Sequence, residues 1–520
     1  MLRAPATARR SRPRARGACL AATDTAAPLA RFTDLLGHPR PLWMLFMTEF
    51  WERFAFYGMR WALTLYIVAQ FFDGAASGQG WASRTYGAFL ALVYATAIFG
   101  GYVADRVLGC QRSILLGAAI LAGGYFMLVL PRQDLFLLGL ATITVGNGLF
   151  KPNISTLVGK LYAPGDTRRD RGFTLFYMGI NAGGFVAPLL TGWLAGTVTG
   201  TPLMQNYKAV FVASGAGMLL SLLWFAVGRR ELAGIGRPPD TRHGGAALAW
   251  VMLGVIVAVP IVYLLMAEVG AGVLAWILGA LFVALALMLL IEALREGGVA
   301  RDKVVAMLLL FAFNVLFWMF FEQAGSSFNF LAQNIVDRNL FGGALVFPTG
   351  WFQSVNPGAI VLLAPLLALA WGWLATRGRE PSIPRKFGLG LLFNALTFLL
   401  LMVALDMLVG RSGQIPFWPL VLVYVLQTVG ELCLSPIGLS MVTKLAPLRH
   451  VGLAMGGWFL STAIGNNLSG IFAGHVSGER GMTVASALAG FTFSFWLLLG
   501  AGGLLLLIAP RINRLMHGVR

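Results

Sequence analysis

The feature that most constrains this chain is an apolar run of about 20 residues that recurs from end to end, the length of helix that crosses a bilayer core. Divided at turn and charge signals, the sequence gives fourteen such segments: 41–72, 84–106, 112–131, 134–163, 169–198, 207–228, 246–266, 271–293, 303–332, 349–376, 385–409, 415–446, 449–475 and 484–509. Backbone groups in lipid must be paired within the spanning segment, so a chain of this pattern folds as helices. The ten-residue alternation of a transmembrane barrel is absent from the sequence. Composition agrees: 58% of residues are hydrophobic and 12% charged, where soluble domains carry about 25% charged residues. The expected class is an all-α polytopic membrane protein with 14 transmembrane helices.

The net charge of +18 does not point to nucleic acid, because the cations sit in short loops between apolar runs. Loops 104–112, 163–171, 228–243, 294–303, 375–386 and 444–450 fall on the side of the N-terminus, as does RINRLMHGVR at the C-terminus. Opposite loops such as FFDGAASGQGWAS carry few cations. By the positive-inside rule both termini are cytoplasmic, with lipid as the surrounding partner. Residues 1–40 include RRSRPRARG and lack a long apolar core, which argues against a cleaved signal peptide and for a disordered cytoplasmic tail. Cys19, Cys110 and Cys433 lie far apart, without metal-type spacing, so no metal or cofactor is expected.

A faint repeat divides the spans. Pro152–Pro164 reads PNISTLVGKLYAP and Pro436–Pro447 reads PIGLSMVTKLAP, each with a lysine eight residues after its first proline. GGYVADR at 100–106 has a worn counterpart in WGWLATR at 371–377. Such matches at corresponding places suggest parallel six-helix repeats. The expected organisation is a tail (1–40), a first bundle (41–228), linkers with a two-helix insertion (229–302), a second bundle (303–510) and a C-terminal tail (511–520). Asp105–Arg106, between the second and third spans, reads as a structural latch.

The segment EFWERFAFYGMR, residues 49–60, sets Glu49, Glu52, Arg53 and Arg60 into an otherwise apolar span. Left in lipid, four such charges would cost about 10 kcal/mol on insertion scales. Positions 49, 52, 53, 56 and 60 fall on one stripe roughly 100° wide, so all four charges should face the protein interior. Lys151 (GLFKPNIS), Glu322 (MFFEQAG), Glu431 (VGELCLSP), Asn181 (GINAGG) and Asn356 (QSVNPGA) are further polar groups inside spans. Cations come mainly from the first half and carboxylates from the second. A cavity between the halves suits a zwitterion.

EFWERFAFYGMR resembles the ExxER signature of the proton-dependent oligopeptide transporter family. GGYVADRVLGCQRSIL and FYMGINAGGFVAP resemble its second and third signatures, and GLFKPNISTLVGKLY, FQSVNP and ELCLSPIGLSMVTKLAP match other recurrent stretches. The resemblance covers about residues 38–510. It implies a major facilitator fold of two six-helix bundles, with two helices added between them. It also implies a proton-coupled symporter, not an enzyme, that imports di- and tripeptides by alternating access and functions as a monomer.

By motif, Arg53, Arg60 and Lys151 would receive the peptide carboxylate, and Asn181, Asn356 and Glu431 its amino end. Tyr57, Tyr94, Trp318, Ser435 and Trp458 would line side-chain pockets. Glu49, Glu52, Arg53, Lys151 and Glu322 would take part in proton coupling. Chemistry agrees, since arginine offers a planar fork to a carboxylate and Glu431 can pair with an ammonium. The expected ion pairs are Glu49 and Glu52 with Arg53 and Lys151, and Glu322 with Arg60. Two positions depart from relatives: Phe56 replaces a tyrosine, and Gly87 stands where mammalian members carry a histidine. A relative that moves a non-peptide such as nitrate or a peptide-like drug is the alternative reading.

Overall fold

A computed structural model describes residues 32–163, 166–201, 204–238 and 244–519. It contains fourteen long helices: α1 (Arg40–Phe71), α2 (Gly78–Val103), α3 (Gly109–Met127), α4 (Gln133–Lys160), α5 (Arg169–Trp193), α6 (Tyr207–Gly228), α7 (Gly244–Leu264), α8 (Gly270–Glu296), α9 (Gly298–Phe321), α11 (Trp351–Thr376), α12 (Ile383–Met407), α13 (Trp418–Leu445), α14 (Val451–Ser477) and α15 (Val484–Leu515). A short α10 (Ser327–Asn334) follows α9. Among the described residues, ten helical stretches are long and apolar enough to cross a membrane, some of them holding two helices. Long helices α1 and α14 lie outside that set. They carry, respectively, the four charges of EFWERFAFYGMR and the buried run Ser461, Thr462, Asn466, Asn467 and Ser469.

Helices α1–α6 form the first bundle, α9–α15 the second, and α7–α8 stand between them in the chain. Successive long helices reverse direction, so the start of α1 and the close of α15 share one end of the molecule, called here the near end. Small residues bring the helices together. A Cβ on Gly100 would lie 1.7 Å from the Gly148 carbonyl, and one on Gly87 2.7 Å from Gly470 Cα. Such backbone approach is the usual basis of packing where apolar burial gives no net drive. Pro152 in α4 and Pro436 in α13 occupy the fourth helix of each bundle, both 28 residues long, which matches the repeat read from sequence. The inserted pair is tied to the second bundle where Asn467 Nδ2 donates to Ala271 O at 2.7 Å.

Three boundaries differ from the sequence reading. The span expected over 303–332 breaks at Glu322–Gly325, a 3-10 turn in EQAGSS that leads into α10. The carbonyls freed there are taken up by side chains, Gln353 Nε2 and Tyr424 Oη on Ala324 O and Thr64 Oγ1 on Gly325 O, as buried backbone groups require. Helix α15 runs to Leu515, so 511–515 is helix and not tail. At the other end Asp34–Leu35 pairs with His38–Pro39 in a small hairpin, so the segment assigned to a tail is ordered there; residues 1–31 lie outside the described residues. Arg168 bonds Asp34 (2.9 Å) and Asp166 (3.0 Å) and holds the Asp166 carboxyl below its ordinary value. Asp105 and Arg106 sit in a π-helical turn and make no ion pair among the described residues, so the latch is not formed here.

Candidate functional site

Helix α1 delivers the first cluster. Its stripe is buried as expected: Glu49, Glu52, Arg53 and Arg60 are at most 8% exposed. Arg53 Nε reaches Glu49 Oε1 at 3.3 Å, one helical turn back, and forks onto the neighbouring Glu52, with Nη2 to Oε1 at 2.6 Å. Two carboxylates thus share one guanidinium, and Lys151 of α4, within electrostatic reach of all three, balances the charge. Lys151 makes no ion pair among the described residues; its ammonium lies 4.9 Å over the Tyr94 ring. Glu49 Oε2 is buried without a hydrogen-bond partner. Phe56, the departure from relatives, lies under Arg53 at 5.1 Å and stacks against Phe89. Its ring therefore keeps the cation–π face while giving up the hydroxyl.

The second cluster joins the bundles. Arg60 Nη2 meets Glu322 Oε2 at 2.5 Å, and Arg60 Nε donates to Tyr86 Oη at 2.7 Å. Tyr86 Oη in turn donates to Glu322 Oε2 at 3.3 Å. Glu322 stands where α9 breaks, and the break aims it at α1. The third cluster lies wholly in the second bundle. Asn356 Nδ2 donates to Glu431 Oε2 at 3.0 Å and to Thr428 Oγ1 at 2.9 Å. Asn356 precedes Pro357, whose ring interrupts the α11 ladder.

Cross-bundle hydrogen bonds cluster at the far end. Thr64 Oγ1 donates to Gly325 O, Asn329 Nδ2 to Trp61 O, Trp351 Nε1 to Leu189 O, Ser354 Oγ to Phe185 O, and Met482 N to Gln79 Oε1, all at 2.8–3.2 Å. Toward the near end the bundles part around a cavity of about 900 Å³. Tyr177 and Asn181 of α5, Trp371 of α11, and Ser435 of α13 line it, with Glu380 and Lys386 paired at 2.5 Å at its mouth. The far end is closed and the near end open.

The pairs expected from sequence are present, apart from a direct Lys151 contact. Asn181 and Ser435 reach the cavity wall; Asn181 Nδ2 is held on Tyr177 O, and Ser435 Oγ is buried without a partner. Tyr57 lies beneath Arg60, at 5.7 Å from its guanidinium. Trp318 packs between Phe317 and Phe321 with its indole N–H unpaired. Trp458 packs over Gly438 between Phe311 and Phe387, away from the cavity wall. Gly87 sits at the α2–α14 crossing, where even a Cβ would collide with Gly470, so no histidine fits this packing.

Sequence reasoning passes over Tyr86 and Thr428. TYGAF around Tyr86 looks like ordinary apolar helix, so nothing in it marks the residue. Thr428 precedes Glu431 by three, a spacing that shares a helix face and could have been read. The Glu380–Lys386 pair falls in a loop noted only for its cations.

Two six-helix bundles that meet at one end and part around a cavity at the other define the major facilitator architecture of a membrane transporter. A family model described as PTR2, POT family, matches residues 111–485. Peptide transporter YePEPT of Yersinia enterocolitica is 38% identical over 522 residues, covering 96% of this chain and 99% of that protein. Dipeptide and tripeptide permease B of Aeromonas hydrophila is 35% identical over 507 residues, covering 93% and 95%. A crystal structure of peptide transporter POT in complex with sulfate is similar at TM-score 0.80 and 34% identity, covering 94% of this chain and 98% of that one. The chain belongs to the POT family.

Proposed function

We propose that the chain is a proton-coupled symporter that imports di- and tripeptides across a bacterial inner membrane. Its near end and both termini face the cytoplasm, and it acts as a monomer without a cofactor. The observation that carries the reading is ionisable groups buried on both bundles: Arg53 and Lys151, matched by Glu49 and Glu52, on the first, and Glu431 with Asn356 on the second. A peptide matches that pattern at its two ends, with Arg53 and Lys151 receiving the carboxylate and Glu431 the ammonium. Contacts to the termini leave the side chains to the cavity, which permits many sequences.

Arg60–Glu322 is the tie that a proton would act on. It spans α1 and the break after α9, so neutralising Glu322 removes one of the attractions that hold the bundles together. In the other cluster, a substrate carboxylate that takes Arg53 leaves Glu49 or Glu52 without its counter-charge, and the freed group can accept a proton. Each event favours one bundle arrangement over the other, which is what coupling requires.

The test is uptake of labelled dialanine by liposomes under an imposed inward proton gradient. Accumulation that a protonophore abolishes is expected, with Glu322→Gln losing accumulation against a gradient while still exchanging peptide. Wild-type accumulation by Glu322→Gln removes the coupling role, and transport of nitrate or a drug without peptide uptake removes the substrate.

A further inference from the structure

The Tyr86 hydroxyl lies between the two partners of the Arg60–Glu322 pair. It accepts from Arg60 Nε at 2.7 Å and donates to Glu322 Oε2 at 3.3 Å, and Arg60 Nη2 meets that same oxygen at 2.5 Å. One carboxylate oxygen therefore takes two donors, and the residues that supply them are bonded to each other. Tyr86 is fully buried and Glu322 is 4% exposed, so these bonds act where water screens them little.

Packing fixes the hydroxyl from two sides. The next residue, Gly87, sits at the α2–α14 crossing, where a Cβ would lie 2.7 Å from Gly470 Cα, so α2 is held close against the second bundle. On the other side, a Cβ on Gly325 would lie 1.8 Å from Tyr86 Oη. The break after α9 thus carries a glycine at the place the hydroxyl enters. Other buried hydroxyls at the break bond backbone: Tyr424 Oη donates to Ala324 O and Thr64 Oγ1 to Gly325 O. Tyr86 bonds two charged side chains instead, one from each bundle.

Few titratable groups face Glu322. Arg60 and Tyr57 come from α1, Tyr86 and Tyr94 from α2, and Tyr424 and Glu431 from α13. Of the elements packed on the break, α10 holds no titratable residue and α14 only the exposed His475. The ionisable residues of α9, Arg301, Asp302 and Lys303, lie at its opposite end. Among the described residues, Arg60 and Tyr86 alone bond the carboxylate.

We propose that Tyr86 is a positioning residue for proton coupling at Glu322, on the reading of the chain as a proton-coupled symporter. Its hydroxyl braces the Arg60 guanidinium and gives the carboxylate a second donor. A hydrogen bond donated to a carboxylate favours the ionised form, so Tyr86 sets how readily Glu322 takes a proton and the tie breaks. Tyr86 and Arg60 both belong to the first bundle, and the bond between them does not pass through the second. It therefore persists when Glu322 moves away, and Arg60 stays aimed for the pair to form again.

The test is an infrared titration of the full chain in liposomes without peptide. The protonated-carboxyl band that Glu322→Gln removes reports this group. In Tyr86→Phe, which deletes the hydroxyl and keeps the ring, the band is expected to reach half its height about one pH unit higher than in wild type. The alkaline limb of proton-driven dialanine uptake is expected to move in the same direction. Tyr86→fluorotyrosine, whose more acidic hydroxyl is a stronger donor, is expected to move the band the opposite way, and it decides the matter should Tyr86→Phe fail to fold. A band that stays at the wild-type pH in folded Tyr86→Phe overturns the proposal, as does a band moved the same way by both variants. Absence of dialanine uptake by wild type, with the band still displaced in Tyr86→Phe, removes the symport reading and leaves the hold of Tyr86 on Glu322 standing.

Discussion

Asn356 shows how a single side chain prepares this site. Its amide donates to both Glu431 and Thr428, so the carboxylate is aimed before any ligand arrives. A hydrogen bond to a charged group is worth about 1.5–3 kcal/mol. Asn356→Leu is therefore expected to raise the KM for dialanine by roughly ten- to a hundredfold at unchanged expression. An unchanged KM in the uptake assay would mean that Glu431 holds its position without that bond. Sequence reached Asn356 and Glu431 because each is an isolated polar residue in an apolar run. It did not reach Tyr86, since a tyrosine in such a run carries no cost that would mark it.

Among the elements, the α2–α14 crossing is tightly specified. Gly87 and Gly470 face each other so closely that a methyl on Gly87 would sit 2.7 Å from Gly470 Cα, with backbone and not a flexible side chain in the way. Overpacking of this kind costs about 1–3 kcal/mol. Gly87→Ala is expected to lower the unfolding temperature in detergent, and a His at this position to do so further. A Gly87→Ala protein as stable as wild type would show that the crossing can slide apart at no cost. The position that resembles a functional histidine of distant relatives is thus a packing position here. From sequence alone Glu322–Gly325 reads as continuous helix, because EQAGSS is short and flanked by apolar sequence on both sides. Its cause is tertiary: Gln353, Tyr424 and Thr64, from three other helices, satisfy the carbonyls that the break exposes.

The molecule as a whole is closed at the far end and open at the near end, and alternating access requires that closure to be reversible. Thr64 Oγ1 and Asn329 Nδ2 lie 3.3 Å apart across the two bundles. Cysteines at both positions are expected to form a disulfide on oxidation and to stop uptake, with full recovery on reduction. Each single cysteine variant serves as its own control. Uptake that continues in the oxidised double variant would show that the far end need not open at Thr64–Asn329.

The chain's own pattern determined the number of long helices, most of their bounds, the inserted pair, and the inward stripe of α1. All of these follow from local rules: the length needed to span a bilayer, the 3.6-residue period, and the cost of charge in lipid. Tertiary structure alone decided which charges meet. Arg60 and Glu322 are 262 residues apart, and their pairing depends on two helices crossing and a third segment breaking at the right place. It also decided which end is shut and which polar groups are left without partners. Those are properties of the space between bundles, which no single segment encodes.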